Sequence, residues 1–260
     1  MSGARCWLVP ALAGAGFVAI LVSGSNTSLF LRLNRIGPAT SDLFWANVTL
    51  IGDATVGFAL CLVLWRRSPE LLWAAAFVAL LGTLWVHGFK PLFDVPRPPA
   101  VLGDAVHVIG RAYKAHSFPS GHATTAFAIG GLFFLGIRSP ALRVAVLVVA
   151  TGAALSRAVV GVHWPLDILG GAFGGWLAAV LGVFLAGKTA HFGTRPAVQW
   201  LLAALVGACA VALVLGHPDD YPDALLFERL IGVACLLAAM GALWRDARLG
   251  HAGLGRRPGL

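Results

Sequence analysis

Eight stretches of this chain are apolar over close to the twenty or so residues that a helix needs to cross a bilayer. They cover residues 6–23, 44–65, 71–89, 121–137, 141–162, 164–186, 197–216 and 224–244. Hydrocarbon offers no water to backbone N–H and C=O groups, so a segment that crosses it must pair them internally, and a run of this length does so as a helix. Composition agrees: 12% of residues are charged and mean hydropathy is +0.83, against about 25% charged in soluble domains. The sequence therefore predicts an all-α fold, a polytopic transmembrane helix bundle. Only Arg5 precedes the first run, which is longer than a signal-peptide core, so it is expected to stay as an anchor.

Charge gives the bundle a direction. Eight crossings put both termini on one side, and Arg5, Arg66, Arg67, Arg138, Arg143, Lys188, Arg195, Arg245, Arg248, Arg256 and Arg257 all fall there, with only Glu70 and Asp246 among acids. The positive-inside rule makes that side cytoplasmic. It also accounts for the net charge of +8 better than a nucleic-acid partner does. The cysteines, Cys6, Cys61, Cys209 and Cys235, are scattered through apolar runs without metal or disulfide spacing. Residues 29–36 alternate apolar and basic positions at helical period, which suits a short helix in the outer interface. Gly170, Gly171, Gly174 and Gly175 form two overlapping Gly-x-x-x-Gly pairs, which let another helix approach closely.

Three polar clusters interrupt this apolar plan on the outer face. The first is Lys90-x6-Arg97-Pro98, the second Pro119-Ser120-Gly121-His122, the third Ser156-Arg157-x5-His163-x3-Asp167. Pro165 suits the first turn of a helix; a helix starting near His163 would set His163 and Asp167 four apart on one face. The carboxylate would then hold one imidazole proton and leave the other nitrogen free to attack. Lys90, Arg97 and Arg157 supply three cations for a phosphate and the charge its transfer develops. Ser120 and Gly121, at a helix start, offer backbone N–H groups to an anion. His122 can protonate a leaving oxygen.

These three motifs resemble the signatures of the type 2 phosphatidic acid phosphatase family, the lipid phosphate phosphatases, with relatives among bacterial acid phosphatases and vanadium haloperoxidases. All eleven specified residues are present at the family spacing. The resemblance covers the first six spans. It implies a six-helix phosphatase core over 1–196; the apolar runs beyond it give two additional transmembrane helices over 197–250, outside the family core, and the Gly/Arg-rich stretch 251–260 reads as a mobile cytoplasmic tail. The resemblance further implies that Lys90, Arg97, Ser120, Gly121 and Arg157 bind phosphate, that His122 is the acid, His163 the nucleophile and Asp167 its partner. No metal or other cofactor is implied. Expected substrates are phosphatidic acid, phosphatidylglycerophosphate, undecaprenyl diphosphate or lipid A, at the periplasmic face of a bacterial inner membrane, with membrane lipids around it.

Two other readings keep the same residues. A phosphotransferase would pass the phosphoryl group to a second lipid, and a non-catalytic binder or transporter would use the cations alone. Asp53 reads equally as a structural partner or as site support. Asp94 reads as a local charge partner, and His107 and His116 as bystanders. Arg111 and Lys114 fit headgroup contact and a solvated loop equally well.

Overall fold

The computed structural model describes residues 4–216 and 220–254. Thirteen α-helices follow in chain order: α1 (Ala4–Ser23), α2 (Asn26–Asn34), α3 (Ile36–Ala39), α4 (Asp42–Leu50), α5 (Ala54–Leu60), α6 (Pro69–Phe93), α7 (Pro98–Leu102), α8 (Gly121–Gly136), α9 (Pro140–Val159), α10 (Pro165–Lys188), α11 (Ala190–Gly193), α12 (Pro196–Leu215) and α13 (Leu225–Leu254). Among the described residues there is no strand. Proline opens α6, α9, α10 and α12 at the first turn, where its missing N–H would have had no intrahelical partner.

Six helices are long and apolar enough to cross a membrane: α1, α6, α9, α10, α12 and α13. The other two expected spans differ in form. The run over 44–65 is broken: α4 and the segment Ala54–Leu64 meet at 58°. Gly52 lies in the break, and the Asp53 carboxylate caps the new start, accepting from Thr55 N–H at 2.7 Å and Val56 N–H at 3.1 Å. The run over 121–137 gives α8, of 16 residues, which rises about 24 Å and falls short of a hydrocarbon core of about 30 Å. The chain is an integral membrane protein. At the C-terminal end α13 stays helical through Leu254, past the expected start of the tail at His251; residues 255–260 lie outside the described residues.

Helices in lipid gain little from burying apolar surface against one another, so close packing of small residues must hold them. α10 does this on two sides. A side-chain carbon on Gly171 would come within 2.6 Å of the Ser120 carbonyl, and one on Gly175 would strike the Thr124 carbonyl, both on α8. Gly174 faces Trp85 of α6 and Gly170 faces Phe118 in the same manner. The glycine pattern thus packs as expected. Trp176 of α10 is fully buried and donates to the Cys6 carbonyl at 2.7 Å, tying α1 to the centre.

The short helix expected over 29–36 forms as α2, which ends at Asn34 ahead of α3, with Arg32 and Arg35 exposed. Its other face packs on protein: Phe30 is fully buried with its ring 5.1 Å from Trp164. α6 rises about 32 Å between Pro69 and Lys90. Arg66, just before it, pairs with Asp246 at 3.5 Å, so these two residues, expected on the same side, share an end of the bundle. Lys90 marks the opposite end.

Candidate active site

The spacing between Arg157 and His163 has a local cause. α9 ends in a turn in which Gly161 takes φ +86°, a left-handed value that costs a residue with a Cβ energy. The Gly161 N–H donates to the Ala158 carbonyl and the Val162 N–H to the Arg157 carbonyl, each at 3.1 Å, the paired bonds of a Schellman cap. The His163 N–H adds a third, also to Arg157 O at 3.1 Å. Arginine and histidine are therefore clasped backbone to backbone.

His163 and Asp167 do meet, though for a different reason than one shared helix face. α10 begins at Pro165, so His163 lies just ahead of the helix. Asp167 occupies its third position and reaches back, accepting from the Trp164 N–H at 2.8 Å, half of a capping box. That reach sets the same carboxylate oxygen 3.3 Å from His163 Nδ1. The Ser117 hydroxyl donates to the same oxygen. With Nδ1–H turned to Asp167, Nε2 keeps its lone pair. Both residues are 2% exposed. Burial, and then the charges of Arg97, Arg157, Lys90 and His122, push His163 well below the usual histidine range, so the ring is neutral.

Those same four residues lie near enough to act on its charge. Arg97 donates from Nε to the Ala115 carbonyl at 2.9 Å and from Nη1 to the Val162 carbonyl at 3.4 Å, beside His163. Lys90 and Arg97 share one opening, and Lys90, Gly121 and His122 line another. Ser120 departs from expectation: its N–H is spent on the Asp167 carbonyl at 3.0 Å and its hydroxyl caps α8 by accepting from Ala123 N–H at 3.4 Å. At the helix start the N–H groups of Gly121 and His122 have no intrahelical partner, while Ser120 locks α8 to α10.

Arg157 is 2% exposed. Its Nη1 donates to the Thr49 hydroxyl at 2.7 Å and to the Tyr221 hydroxyl at 2.8 Å, which uses both protons of that nitrogen. Nε is buried without a partner. A buried, unpaired donor of a charged group is costly, and the edge from Nε to Nη2 carries the parallel donors that fit two oxygens of a phosphate.

The sequence reading missed Ser117, Thr49 and Tyr221. Serine in a loop and threonine in an apolar span are too common to stand out. The chain has only two tyrosines, Tyr113 and Tyr221, and both lie here: the Arg97 guanidinium is 4.9 Å from the Tyr113 ring. Asp94 pairs with His116 at 3.1 Å and His107 with Asp42 at 2.9 Å; His116 lines the opening shared by Lys90 and Arg97. Lys114 contributes its carbonyl to the Arg97 N–H, and Arg111 packs on Tyr113. Below Lys90 and His122 a cavity of about 270 Å³ continues between α5, α6 and α8, past Asp53 and His87 to Val78, Ala128 and Ile129.

Residues 71–189 match the model of the PAP2 superfamily. A lipid A 1-phosphatase of Porphyromonas gingivalis is 46% identical over 74 residues, 28% of this chain but only 17% of that protein. YbjG of Escherichia coli, which carries the provisional name undecaprenyl-diphosphatase, is 31% identical over 173 residues, 62% of this chain and 82% of the relative. The crystal structure of Aquifex aeolicus LpxE superposes with a TM-score of 0.56 at 27% identity, over 61% of this chain and 94% of that one. With its three polar motifs gathered at one end of a helix bundle, and with likeness extending over most of YbjG, this chain belongs to the PAP2 superfamily.

Proposed function

We propose that the protein is a lipid phosphatase that hydrolyses a phosphate monoester or diphosphate of a membrane lipid through a phosphohistidine. The buried, neutral His163 held by Asp167 among Lys90, Arg97 and Arg157 carries this reading. The three cations and the N–H groups of Gly121 and His122 bind the phosphate. Nε2 of His163 attacks phosphorus as the bond to the lipid oxygen breaks, and His122 gives that oxygen a proton. Burial and the cations lower the proton affinity of His122, and the negative charge of the bound phosphate raises it again. Water, deprotonated by the same His122, then releases inorganic phosphate and restores both imidazoles. Binding a cationic cradle alone would need no carboxylate behind the imidazole, so hydrolysis is favoured over mere capture.

The cavity under Lys90 and His122 supports a lipid as the carrier of that phosphate, because its deep walls are apolar. Phosphatidic acid, phosphatidylglycerophosphate, undecaprenyl diphosphate and lipid A form the panel; the relatives named for lipid A and undecaprenyl diphosphate put those two first. In our reading residues 1–196 form the phosphatase core and the site opens to the periplasmic side of a bacterial inner membrane, with both termini in the cytoplasm. Purified protein is expected to release inorganic phosphate from one of the four lipids with chelator present, and vanadate to inhibit it. No release from any of them, or transfer of the phosphate to a second lipid, would overturn the proposal.

Two expectations arise here. Gly52 sits where a Cβ would come within 3.0 Å of both the Cβ and the carbonyl oxygen of His122, so Gly52→Ala asks the start of α8 to give by a few tenths of an ångström. A shift near 1 Å costs about a hundredfold in rate, so a loss of up to about tenfold is expected for this smaller one, and kcat/KM of the folded variant tests this; an unchanged value would free His122 from dependence on that contact. The second concerns pH. His163 attacks as the neutral base and its proton affinity is lowered by burial and by the neighbouring cations. The free enzyme therefore keeps its nucleophile as pH falls through 6.5, and the acid limb of kcat/KM, corrected for substrate ionisation, lies below that value. A limb at the ordinary histidine pKa of about 6.5 would contradict the environment assigned to His163.

A further inference from the structure

The connection from α12 to α13 lies beyond the residues that match the family, 71–189, yet it enters the site. Tyr221 is 3% exposed, and its hydroxyl accepts one of the two Nη1 protons of Arg157 at 2.8 Å. Thr49 of α4 accepts the other at 2.7 Å. One residue before Tyr221, the Asp220 carboxylate accepts from the Tyr113 hydroxyl at 2.8 Å, and the Tyr113 ring lies 4.9 Å from the Arg97 guanidinium. Each arginine fork of the site thus rests on a tyrosine that the α12–α13 connection either supplies or holds. The docking is close: a Cβ on Gly110, at φ +80°, would meet the Asp220 carbonyl at 2.5 Å and the Tyr221 ring at 2.8 Å. Leu50, Val160, Val162, Tyr221 and Ala224 form one buried apolar cluster around it.

Satisfying both Nη1 protons has a directional effect. A free arginine side chain samples many rotamers, and ordering it costs up to about 2 kcal/mol. With Nη1 tied on two sides, the plane of the guanidinium is set before any anion arrives, and the Nε–Nη2 edge is the one left to donate. We infer that Tyr221 is a positioning residue for Arg157, and that the C-terminal helix pair serves to hold the phosphate-binding forks in place. This rests on the phosphatase reading, since it gives a role to Arg157 in binding the transferred group.

The test is Tyr221→Phe in the full-length protein in detergent, with three readouts: kcat/KM on whichever lipid of the panel the wild type turns over, inhibition or direct binding of orthovanadate, and the thermal unfolding midpoint. Phenylalanine keeps the ring and the packing, and removes only the acceptor. We expect kcat/KM to fall about tenfold to a hundredfold, the worth of one hydrogen bond to a charged group. Vanadate should weaken by a similar factor while the midpoint holds. Both effects should vanish when Arg157 is already alanine, because residues acting as one unit are not additive. Thr49→Val should repeat the pattern, including its loss in the Arg157→Ala background. Wild-type kcat/KM and vanadate affinity in Tyr221→Phe would overturn the inference, as would an equal loss in the Arg157→Ala background or a loss that tracks a lowered midpoint. If the wild type releases no phosphate from any lipid yet binds vanadate, the phosphatase reading fails and the vanadate series still decides the positioning role. If it does neither, both fall.

Discussion

His163→Ala is expected to abolish phosphate release, with a loss of about 10⁴-fold or more, because the variant loses the attacking imidazole outright. The side chain makes two hydrogen-bond contacts, to Asp167 at 3.3 Å and to Ser117 at 3.5 Å. Asp167 keeps the Trp164 N–H and the Ser117 hydroxyl when the imidazole is gone, so the start of α10 should survive and the variant should still bind vanadate. The decisive measurement is covalent. Wild-type protein mixed with a radiolabelled lipid phosphate and quenched in alkali, where phosphohistidine persists, should carry label, and His163→Ala should carry none. Full turnover by the alanine variant would refute the nucleophile assignment. Label on both proteins would move it to another residue.

The second large effect comes from a residue that touches no substrate. Gly161→Ala is expected to damage fold and activity together. Alanine at φ +86° costs about 1–2 kcal/mol for the left-handed backbone alone. A Cβ there would also strike the His107 carbonyl and come within 2.9 Å of Val106. Asn34 braces the same place, donating to the His107 carbonyl at 2.7 Å and the Val159 carbonyl at 3.0 Å, so the loop cannot step aside cheaply. The total loss is about 2–4 kcal/mol, in the range of the larger single substitutions. Relief by opening the turn would break the bonds from Val162 and His163 to the Arg157 carbonyl and separate the nucleophile from its cation. Folded Gly161→Ala should therefore show a lower unfolding midpoint and a kcat/KM down about a hundredfold. A variant with wild-type kcat/KM would mean that the turn does not set the distance from Arg157 to His163.

Several features of the site were readable because one short segment carries both the residues and the geometry between them. Arg157, Gly161, His163, Pro165 and Asp167 lie within eleven positions, and a helix end, a glycine turn and a proline start leave few ways to arrange them. The contact between His163 and Asp167 nevertheless does not come from a shared helix face. His163 lies ahead of α10, and Asp167 meets it by reaching back to the N–H of Trp164. Ser120 misled in a similar way: a serine at a helix start can offer its N–H to an anion, but here that proton goes to the carbonyl of Asp167.

Hydropathy and charge period, which belong to single segments, determined by themselves that this chain is a helical membrane bundle, and motif spacing picked out the residues proposed for its site. The choice of Ser117, Thr49 and Tyr221 as supports was decided only when separate helices packed. Each depends on which backbone comes within hydrogen-bond distance of which side chain, across separations of up to 108 residues, as between Thr49 and Arg157. No local propensity encodes such distances. They follow from close packing, in which a missing Cβ on one helix admits another and a buried guanidinium takes whatever oxygen atoms the fold has brought to it.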